Sequence, residues 1–236
     1  MANVVYNYIS VKGSAKDILS LINLGLKNSG ADEVSADNAD LTALKSAVKT
    51  LCKKGTFRMG DGKPFEKGDV EQGIKVEKGV CFSTFLPIPD TFLKFDTTNH
   101  ADAFADEAAK QKKEYGVVGW YEYNCKFFGC KWDSIFSRIL VNQSEDDNYV
   151  VEMSVETPWS PPVEFVVRLS KLFPTLVFYG GYVEEFGQSV GYYKVVDGKV
   201  LEDVDKTDVF NKRQEEEDYD EACDLFLEEY SDFIID

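Results

Sequence analysis

The first thirty residues alternate between apolar and polar positions and then change to a helical repeat. The alternation predicts a strand over residues 4–11 that Gly13 ends. One face of this strand carries Val5, Asn7, Ile9 and Val11, and the other carries Val4, Tyr6, Tyr8 and Ser10. Ser14 then caps a helix, whose buried side is expected to hold Ile18, Leu21, Ile22 and Gly25.

Periodic segments later in the chain extend this order. Helices are predicted over 41–51, about 99–114 with Phe104 and Ala108 as core contacts, and from Ser160, where Ser160 serves as cap and Pro161 follows it. Strands are predicted over 81–85, 149–157, 176–183 and 190–196. Asp197-Gly198 is a strong two-residue hairpin signal, and an acidic helix is predicted from about Glu215.

These elements fit an α+β, ferredoxin-like fold, in which two split β-α-β halves form one antiparallel sheet with helices on one face. We expect this domain to cover residues 1–204, with an inserted loop at about 53–79 and an acidic helical extension over 205–236. Gly55 and Gly60 have the spacing of a phosphate-binding loop. Because Asp61 stands where the phosphate-binding lysine should be, that interpretation is disfavoured.

Residues 115–133, here named the aromatic segment, combine large rings with glycines and follow neither a helical nor a strand repeat. The rings are Trp120, Tyr121, Tyr123, Phe127, Phe128 and Trp132, and the glycines are Gly116, Gly119 and Gly129. We expect a compact, irregular structure whose buried rings act as scaffolding. Solvent-facing indoles around an empty crevice would instead indicate a ligand receptor.

Charge is distributed unevenly along the 236 residues. The formal net charge is −16, and residues 197–236 contain 16 acidic and 4 basic side chains, so this tail carries −12 and the other 196 residues only −4. Such a tail repels phosphate backbones and membrane surfaces, which makes nucleic acid an unfavoured partner. It suits a basic protein partner, or it is a solvated surface without a partner.

The remaining composition indicates a cytoplasmic protein. No run of about 18 apolar residues predicts a membrane-spanning helix. The alternating N-terminus lacks the basic and then apolar block of a signal peptide. Five cysteines without an export signal are expected to be reduced thiols.

Several spaced motifs carry a family resemblance over residues 3 to about 196. They are Asn7-x-Ile9-x-Val11-x-Gly13, Pro87-Ile88-Pro89, Tyr115-Gly116, Trp120-Tyr121, Asn124, Gly129, Lys131-Trp132-Asp133, Trp159-Ser160-Pro161-Pro162, Leu169-Ser170, Phe173-Pro174 and Tyr182-x-Glu184-Glu185. Together they resemble the YubB-type ferredoxin-like family, carried mainly by bacteriophages and plasmids. The family pattern differs at Tyr123, Phe128, Cys130 and Pro158, and the tail lies outside it. The resemblance implies a fold and a mobile-element origin in a bacterial host cell, and it implies no activity.

Charged residues within these motifs are the first binding candidates. Glu184 and Glu185 are adjacent on a strand and point to opposite faces, so they cannot act as a carboxylate pair. We favour a structural ion pair between Lys131 and one of these acids or Asp133, with general acid–base work as the alternative. The candidate binding residues of this group are Tyr121, Lys131, Asp133 and Glu184.

No convincing catalytic or metal-binding set accompanies them. His100 is the only histidine and falls at a predicted helix start, where a capping or surface role is favoured. Cys125 and Cys130 have a spacing that two zinc ligands tolerate, but a structural site needs four ligands. We therefore expect no catalytic residues, no metal and no cofactor.

Two sets of rings are further candidates. Tyr6, Tyr8, Tyr182 and Tyr192 are expected on the sheet face that helices leave free, where they would stack bases or lie under another segment. The acidic helix carries a stripe at helical spacing, formed by Tyr219, Cys223, Phe226, Tyr230 and Phe233. This stripe packs either on the protein's own sheet or on a partner.

The leading hypothesis is a non-enzymatic protein-binding module that acts in the bacterial cytoplasm and blocks a basic host protein through Tyr219, Phe226, Tyr230 and Phe233 of its tail. The alternative is binding of a nucleotide or single-stranded RNA through Tyr6 and Tyr8. The sequence does not determine an oligomeric state.

Overall fold

A computed structural model describes residues 3–36, 39–54, 79–144, 146 and 148–235. Its strands are β1 (Val4–Gly13), β2 (Phe136–Gln143), β3 (Tyr149–Pro158), β4 (Val177–Glu184), β5 (Val190–Val196) and β6 (Lys199–Asp205). Its helices are α1 (Ala15–Asn28), α2 (Leu41–Lys54), α3 (Phe82–Phe85), α4 (Asp90–Lys94), α5 (Ala105–Tyr115), α6 (Gly119–Phe127), α7 (Val163–Leu172), α8 (Thr207–Glu216) and α9 (Tyr219–Ile235). None of these helices has the length and apolar character needed to cross a membrane.

The strands form one antiparallel sheet in the order β2-β3-β1-β4-β5-β6. Helix α1 follows β1 and helix α7 follows β3, so β1 to β4 have the ferredoxin-like arrangement. The predicted α+β fold class is therefore confirmed. Strands β5 and β6 extend the sheet as a hairpin, whose turn residues Asp197 (φ 49°) and Gly198 (φ 70°) are both left-handed, as a type I′ turn requires.

The main core lies on the sheet face covered by α1 and α7. Strand residues Ile9, Val11, Val151, Met153, Phe178 and Val195 are buried there. The segment between α2 and β2 adds rings to the same core: Phe82 stacks on Phe165 with ring centroids 4.4 Å apart and meets Phe128 edge-on at 5.6 Å. That segment therefore belongs to the ferredoxin-like core.

Helices α8 and α9 cover the opposite face of the sheet. Their buried side chains Phe210, Ala222, Phe226 and Tyr230 pack against Tyr179, Val183 and Val190. Neighbouring residues of a strand point to opposite faces of the sheet. These three side chains therefore point away from the main core, and the residues next to them in the strands point toward it. The acidic extension is thus a second helical layer.

Residues 81–85 form a helix, so the predicted strand is wrong. Only Cys81 pairs like a strand residue, in a single bridge to Ile135. The Ser83 N–H donates to Asp133 Oδ1 (2.9 Å), and the Cys81 N–H donates to Thr84 Oγ1 (3.0 Å). These bonds satisfy amides at the start of α3, which stabilises a helical turn.

The second strand of the ferredoxin-like unit, β2, was not predicted. It pairs with β3 through register partners such as Ile139–Met153 and Val141–Val151, and it lies at the edge of the sheet. Its three consecutive apolar residues, Ile139, Leu140 and Val141, interrupt the alternation that identifies a half-buried strand.

The aromatic segment contains helix α6, so the prediction of a wholly irregular structure is wrong. The Tyr123 and Phe127 rings are four residues apart on one helical face, with centroids at 4.6 Å. Helix α5 begins at Ala105, later than predicted, and it buries Gln111, whereas Phe104 and Ala108 are only partly buried. The Gln111 Oε1 accepts from Thr97 Oγ1 (2.7 Å) and from the Gly119 N–H (2.9 Å), which explains a polar residue in the core.

Two predictions concern segment boundaries. Helix α7 begins at Val163, and the Ser160 hydroxyl donates to the Gly129 carbonyl (2.6 Å), so Ser160 is not its cap. Lys53 and Lys54 belong to α2, and the rest of the predicted insertion, with the phosphate-loop glycines, lies outside the described residues apart from Gly79. The division at 204/205 stays a prediction.

Candidate functional site

Exposed rings collect at the end of the sheet where β1 begins. Trp159 follows β3 and its N–H donates to the Asn3 carbonyl (2.9 Å), while Glu185 follows β4 and its N–H donates to the Val4 carbonyl (2.9 Å). Trp159 is 49% exposed and Phe186 is 61% exposed. The two rings therefore flank the start of β1 from its two sides, and large exposed rings are typical of binding surfaces.

Trp159 has a left-handed backbone, with φ 70°. A bulky residue rarely adopts this conformation, because its Cβ crowds the backbone. The turn is held by the Thr157 hydroxyl, which donates to the Ser160 carbonyl (2.7 Å), and by the bond from Ser160 to Gly129. Strain of this kind concentrates at functional sites and supports a functional hypothesis for this turn.

Lys131 lies between two indoles. Its Nζ is 4.7 Å from the Trp159 ring centroid and 5.2 Å from that of Trp132. Of the acids expected as its ion-pair partner, Glu184 is occupied elsewhere, because the Glu184 Oε2 accepts from the N–H groups of Phe186 (2.9 Å) and Gln188 (3.1 Å). Glu184 therefore fixes the β4–β5 turn, and Lys131 connects the aromatic segment to the Trp159 turn through cation–π contacts.

Asp133 and Tyr121 occupy other surroundings. Asp133 is buried and accepts from the Ser83 N–H at the start of α3. Tyr121 is on the exposed side of α6, where its N–H donates to Thr98 Oγ1 (3.4 Å) and its ring meets Trp120 at 6.1 Å. The structure therefore does not bring Tyr121, Lys131, Asp133 and Glu184 together as one site.

A small crevice opens beside Trp132. It has a volume of about 150 Å³ and is lined by Val4, Trp132, Glu156, Thr157 and Pro158. Within the aromatic segment, Tyr123 and Phe128 are buried and act as scaffolding, whereas Trp120 and Trp132 are only partly buried. The scaffolding interpretation thus holds for Tyr123 and Phe128, while Trp132 borders a cavity.

The aromatic stripe of the acidic helix packs on the protein's own sheet. Phe226 and Tyr230 are buried, and Tyr219 and Phe233 are partly buried. The Tyr230 hydroxyl donates to the Tyr8 carbonyl (2.9 Å). These rings can meet a partner only if α9 leaves the sheet.

Of the two roles left open for the sheet tyrosines, stacking of bases or burial under another segment, Tyr8 and Tyr192 have the second, and the placement of Tyr182 on their face is wrong. Tyr192 lies under α9, with its ring centroid 4.4 Å from that of Phe233, and Tyr8 packs in the same cluster. Tyr182 is on the opposite face, opposite Asn7 in the register of β1 and β4. Tyr6 alone of the four is exposed, at 37%. Bases therefore have no free row of rings on which to stack.

The outer side of α9 presents carboxylates to solvent. Glu221, Asp224, Glu228 and Asp232 are exposed at spacings of three and four residues. A hydrogen bond that protonated Glu221 donates to Glu217, with the negative charges around it, raises the pKa of Glu221, because crowded carboxylates favour the protonated form. The stripe and the carboxylates thus lie on opposite sides of one docked helix.

An ion cluster fixes α9 to α8. Glu229 Oε2 is 2.9 Å from Lys206 Nζ, and Glu229 Oε1 bonds Arg213. Burial raises the pKa of Glu229, but the hydrogen bonds from Lys206 and Arg213 outweigh it and hold the pKa below its usual value. Among the described residues, the ion pairs of α9 with basic side chains are those that Glu229 makes to Lys206 and Arg213.

The candidate nucleophiles are poorly suited to catalysis. His100 is on the surface, with its Nε2 3.9 Å from Asp96. Burial, with the charge of Asp133, raises the pKa of Cys81 to about 12 and also raises that of Cys130. Both thiols are therefore protonated at neutral pH, and a thiol is a weak nucleophile. Across the residues with described positions, no group of three His, Cys, Asp or Glu side chains is placed to hold a metal ion.

Sequence reasoning missed Trp159 and Glu156 as site residues. Trp159 was assigned to a helix start, although a tryptophan before Ser160-Pro161-Pro162 is also typical of a loop. Glu156 belongs to the correctly predicted strand β3. No signal in the sequence shows that β3 extends beyond the end of β2.

Comparison with known proteins supports the fold. Residues 138–224, less than half of the chain, match the family model described as the ferredoxin-like domain in Api92-like protein. A crystal structure of the protein Api92 from Yersinia pseudotuberculosis is similar over 87% of this chain and 98% of that chain, with 12% identity and a TM-score of 0.35. No curated protein matches. The family match agrees with an uncharacterised ferredoxin-like family, and the narrower YubB-type assignment stays a prediction.

Proposed function

We propose that this chain is a non-enzymatic protein-interaction module that presents a fixed acidic surface to a basic protein. The observation that supports this proposal most strongly is the orientation of α9. Its aromatic stripe faces the sheet, and Glu221, Asp224, Glu228 and Asp232 face solvent. A like-charged surface held on a folded layer attracts a basic partner and raises its association rate.

Docking of α9 makes this surface more effective than a mobile acidic tail. The carboxylates of a docked helix are already positioned, so binding orders fewer side chains and less backbone. The pKa of Glu221, raised by Glu217 and its neighbours, indicates that the carboxylates repel one another in the free protein. A basic partner would relieve that repulsion, which adds to the favourable free energy of binding.

The proposal also includes the origin of the protein and the cell compartment in which it acts. The resemblance to a family carried by bacteriophages and plasmids, together with the absence of a helix able to cross the membrane in the described part of the chain, supports a mobile-element protein that acts in the bacterial cytoplasm. In that setting the partner is a basic host protein that this module blocks.

The test is a quantitative pull-down from bacterial lysate with the full chain and with a variant that carries Glu221→Gln, Asp224→Asn, Glu228→Gln and Asp232→Asn. We expect basic proteins to be retained by the wild type, to be lost from the variant by about tenfold or more, and to be released by salt. The matched control neutralises four exposed carboxylates elsewhere, Asp32, Glu33, Asp102 and Asp106. Equal retention by all three proteins, or retention of acidic proteins only, would contradict the proposal.

A further inference from the structure

The crevice beside Trp132 exists because β3 is longer than its neighbour. The pairing of β2 and β3 starts at Phe136 and Val155, so Glu156, Thr157 and Pro158 continue past the end of β2. On their other side these residues still pair with β1, in the register Tyr6–Glu156 and Val4–Pro158. Trp132 lines the space beside this end of β3 together with those residues, and a cavity of about 150 Å³ lies there.

The chemistry of the lining is specific. Val4 and Pro158 supply apolar surface, Trp132 supplies an aromatic ring, and Glu156 supplies an exposed carboxylate. Tyr6 is the cross-strand neighbour of Glu156 and points to the same face of the sheet, where it remains 37% exposed. A carboxylate that shares a crevice with an aromatic ring and apolar side chains is suited to a cation on an aliphatic chain.

We propose that this crevice binds one arginine side chain of the basic partner. The aliphatic stem packs on Val4 and Pro158, the guanidinium lies against the Trp132 ring, and its N–H groups donate to the Glu156 carboxylate. Arginine fits better than lysine because a planar guanidinium both stacks on a ring and bonds a carboxylate with two donors. The cavity is smaller than the usual 300 to 1,000 Å³ or so of small-molecule sites, so it takes a single side chain.

The surrounding charges act on this occupant in both directions. Lys131 Nζ is 5.2 Å from the Trp132 ring centroid and opposes the guanidinium, so the Glu156 carboxylate must outweigh this repulsion. Burial raises the pKa of Tyr219, and the nearby Tyr6 hydroxyl raises it further. Tyr219, at the start of α9, is therefore close to Tyr6. Asp218 directly precedes α9, and Asp220 and Glu221 are in its first turn. Glu156 and Tyr6 point to the sheet face that α9 covers, and this inference rests on the proposed function and names the side chain that the partner supplies.

The test uses the full ¹⁵N-labelled chain and N-acetyl-arginine amide as the probe. We expect a saturable shift of the Trp132 indole N–H signal, with a millimolar Kd typical of so small a ligand. The uncharged citrulline analogue is expected to bind about tenfold more weakly, because it lacks the charge that Glu156 recognises.

A matched pair of variants locates the site. Glu156→Gln is expected to raise the Kd of the arginine probe by about tenfold, and Glu152→Gln, on the same strand and the same face, to leave it within about twofold. An unmoved Trp132 signal, equal binding of the citrulline analogue, or equal effects of the two variants would overturn the assignment.

The outcomes also separate the crevice from the proposed function. If the four-carboxylate variant of α9 loses its basic partners while the arginine probe leaves Trp132 unmoved, the acidic surface stands and the crevice is refuted. If the probe binds as described but neutralising α9 changes no partner, the crevice stands and the acidic surface is refuted.

Discussion

At the residue scale, Trp159 departs most from the chain's local preferences. Its φ of 70° suits glycine, its ring is half exposed, and Lys131 lies against it. Backbone strain without a burial gain is not explained by folding alone, because a glycine at this position would avoid the strain. The ring is therefore kept for what it contacts outside the core, in agreement with a binding role for this end of the sheet.

A comparison of two substitutions measures this strain. Trp159→Gly and Trp159→Ala both remove the ring, but only alanine keeps a Cβ in a left-handed conformation. We expect the glycine variant to be more stable than the alanine variant by about 1 kcal/mol in urea unfolding. The same pair at exposed Lys45, inside α2, should give the opposite order by a similar amount, because glycine weakens a helix interior. Alanine and glycine of equal stability at Trp159 would remove the argument from strain.

Two residues show which features the sequence alone predicts and which it does not. The alternation places Asn7 on one strand face with Val5, Ile9 and Val11, and Asn7 is buried there, where its Nδ2 donates to the Val155 carbonyl (3.1 Å) and to Thr157 Oγ1 (2.9 Å). Glu184, in contrast, is one of the acids expected to pair with Lys131. Its hydrogen-bond donors are instead turn amides, and no spacing rule distinguishes backbone N–H groups near in sequence from a lysine brought near by the fold.

At the element scale, local patterns predicted the strands β1, β3, β4 and β5 and the hairpin turn at Asp197-Gly198, because alternation and turn chemistry are local properties. They failed for α3 and β2. Helix α3 is fixed by Asp133, fifty residues away in sequence, and β2 is an edge strand with one side free. Tertiary contacts decide such short or one-sided elements.

The contact between α8 and α9 predicts a dependence on pH. Glu229 has a pKa below the usual value near 4.5, so its ion pairs stabilise the fold above that pH and are lost as the pH falls through the lowered pKa. We expect Glu229→Gln to lower the free energy of unfolding by about 1 kcal/mol at pH 7 and by almost nothing in strong acid. Acid also relieves the repulsion around Glu221. Because this effect is the same in the wild type and in Glu229→Gln, it cancels in the difference between their free energies of unfolding.

Unfolding of the wild type and the variant from pH 7 to pH 3 measures this difference. The control is Glu216→Gln, which removes an exposed pair with Lys212 at 3.8 Å and should change stability little at any pH. A Glu229→Gln effect that stays constant across this range would show that the loss comes from packing and not from ion pairing.

At the scale of the whole molecule, the helices of the acidic tail pack on the sheet of the ferredoxin-like domain. The stripe on α9 indicated that a surface must cover it, but the sequence did not identify that surface. The sheet provides it through alternate residues of β4, where Gly181 leaves room for the Tyr230 ring: an added Cβ would lie 2.9 Å from the ring. Such complementarity between segments fifty residues apart is invisible to periodicity, which describes one element at a time.

Helix α9 displays a fixed acidic face only if it is docked on the sheet. Amide hydrogen exchange of the full chain tests this docking most directly, because a helix of this length without tertiary packing is marginal in water. We predict that the amides of α9 around Phe226 and Tyr230 exchange at least about a hundredfold more slowly than an unstructured peptide, with protection comparable to that of β4. Exchange of α9 at the unprotected rate, while β1 and β4 remain protected, would contradict the docked layer and the acidic surface built on it.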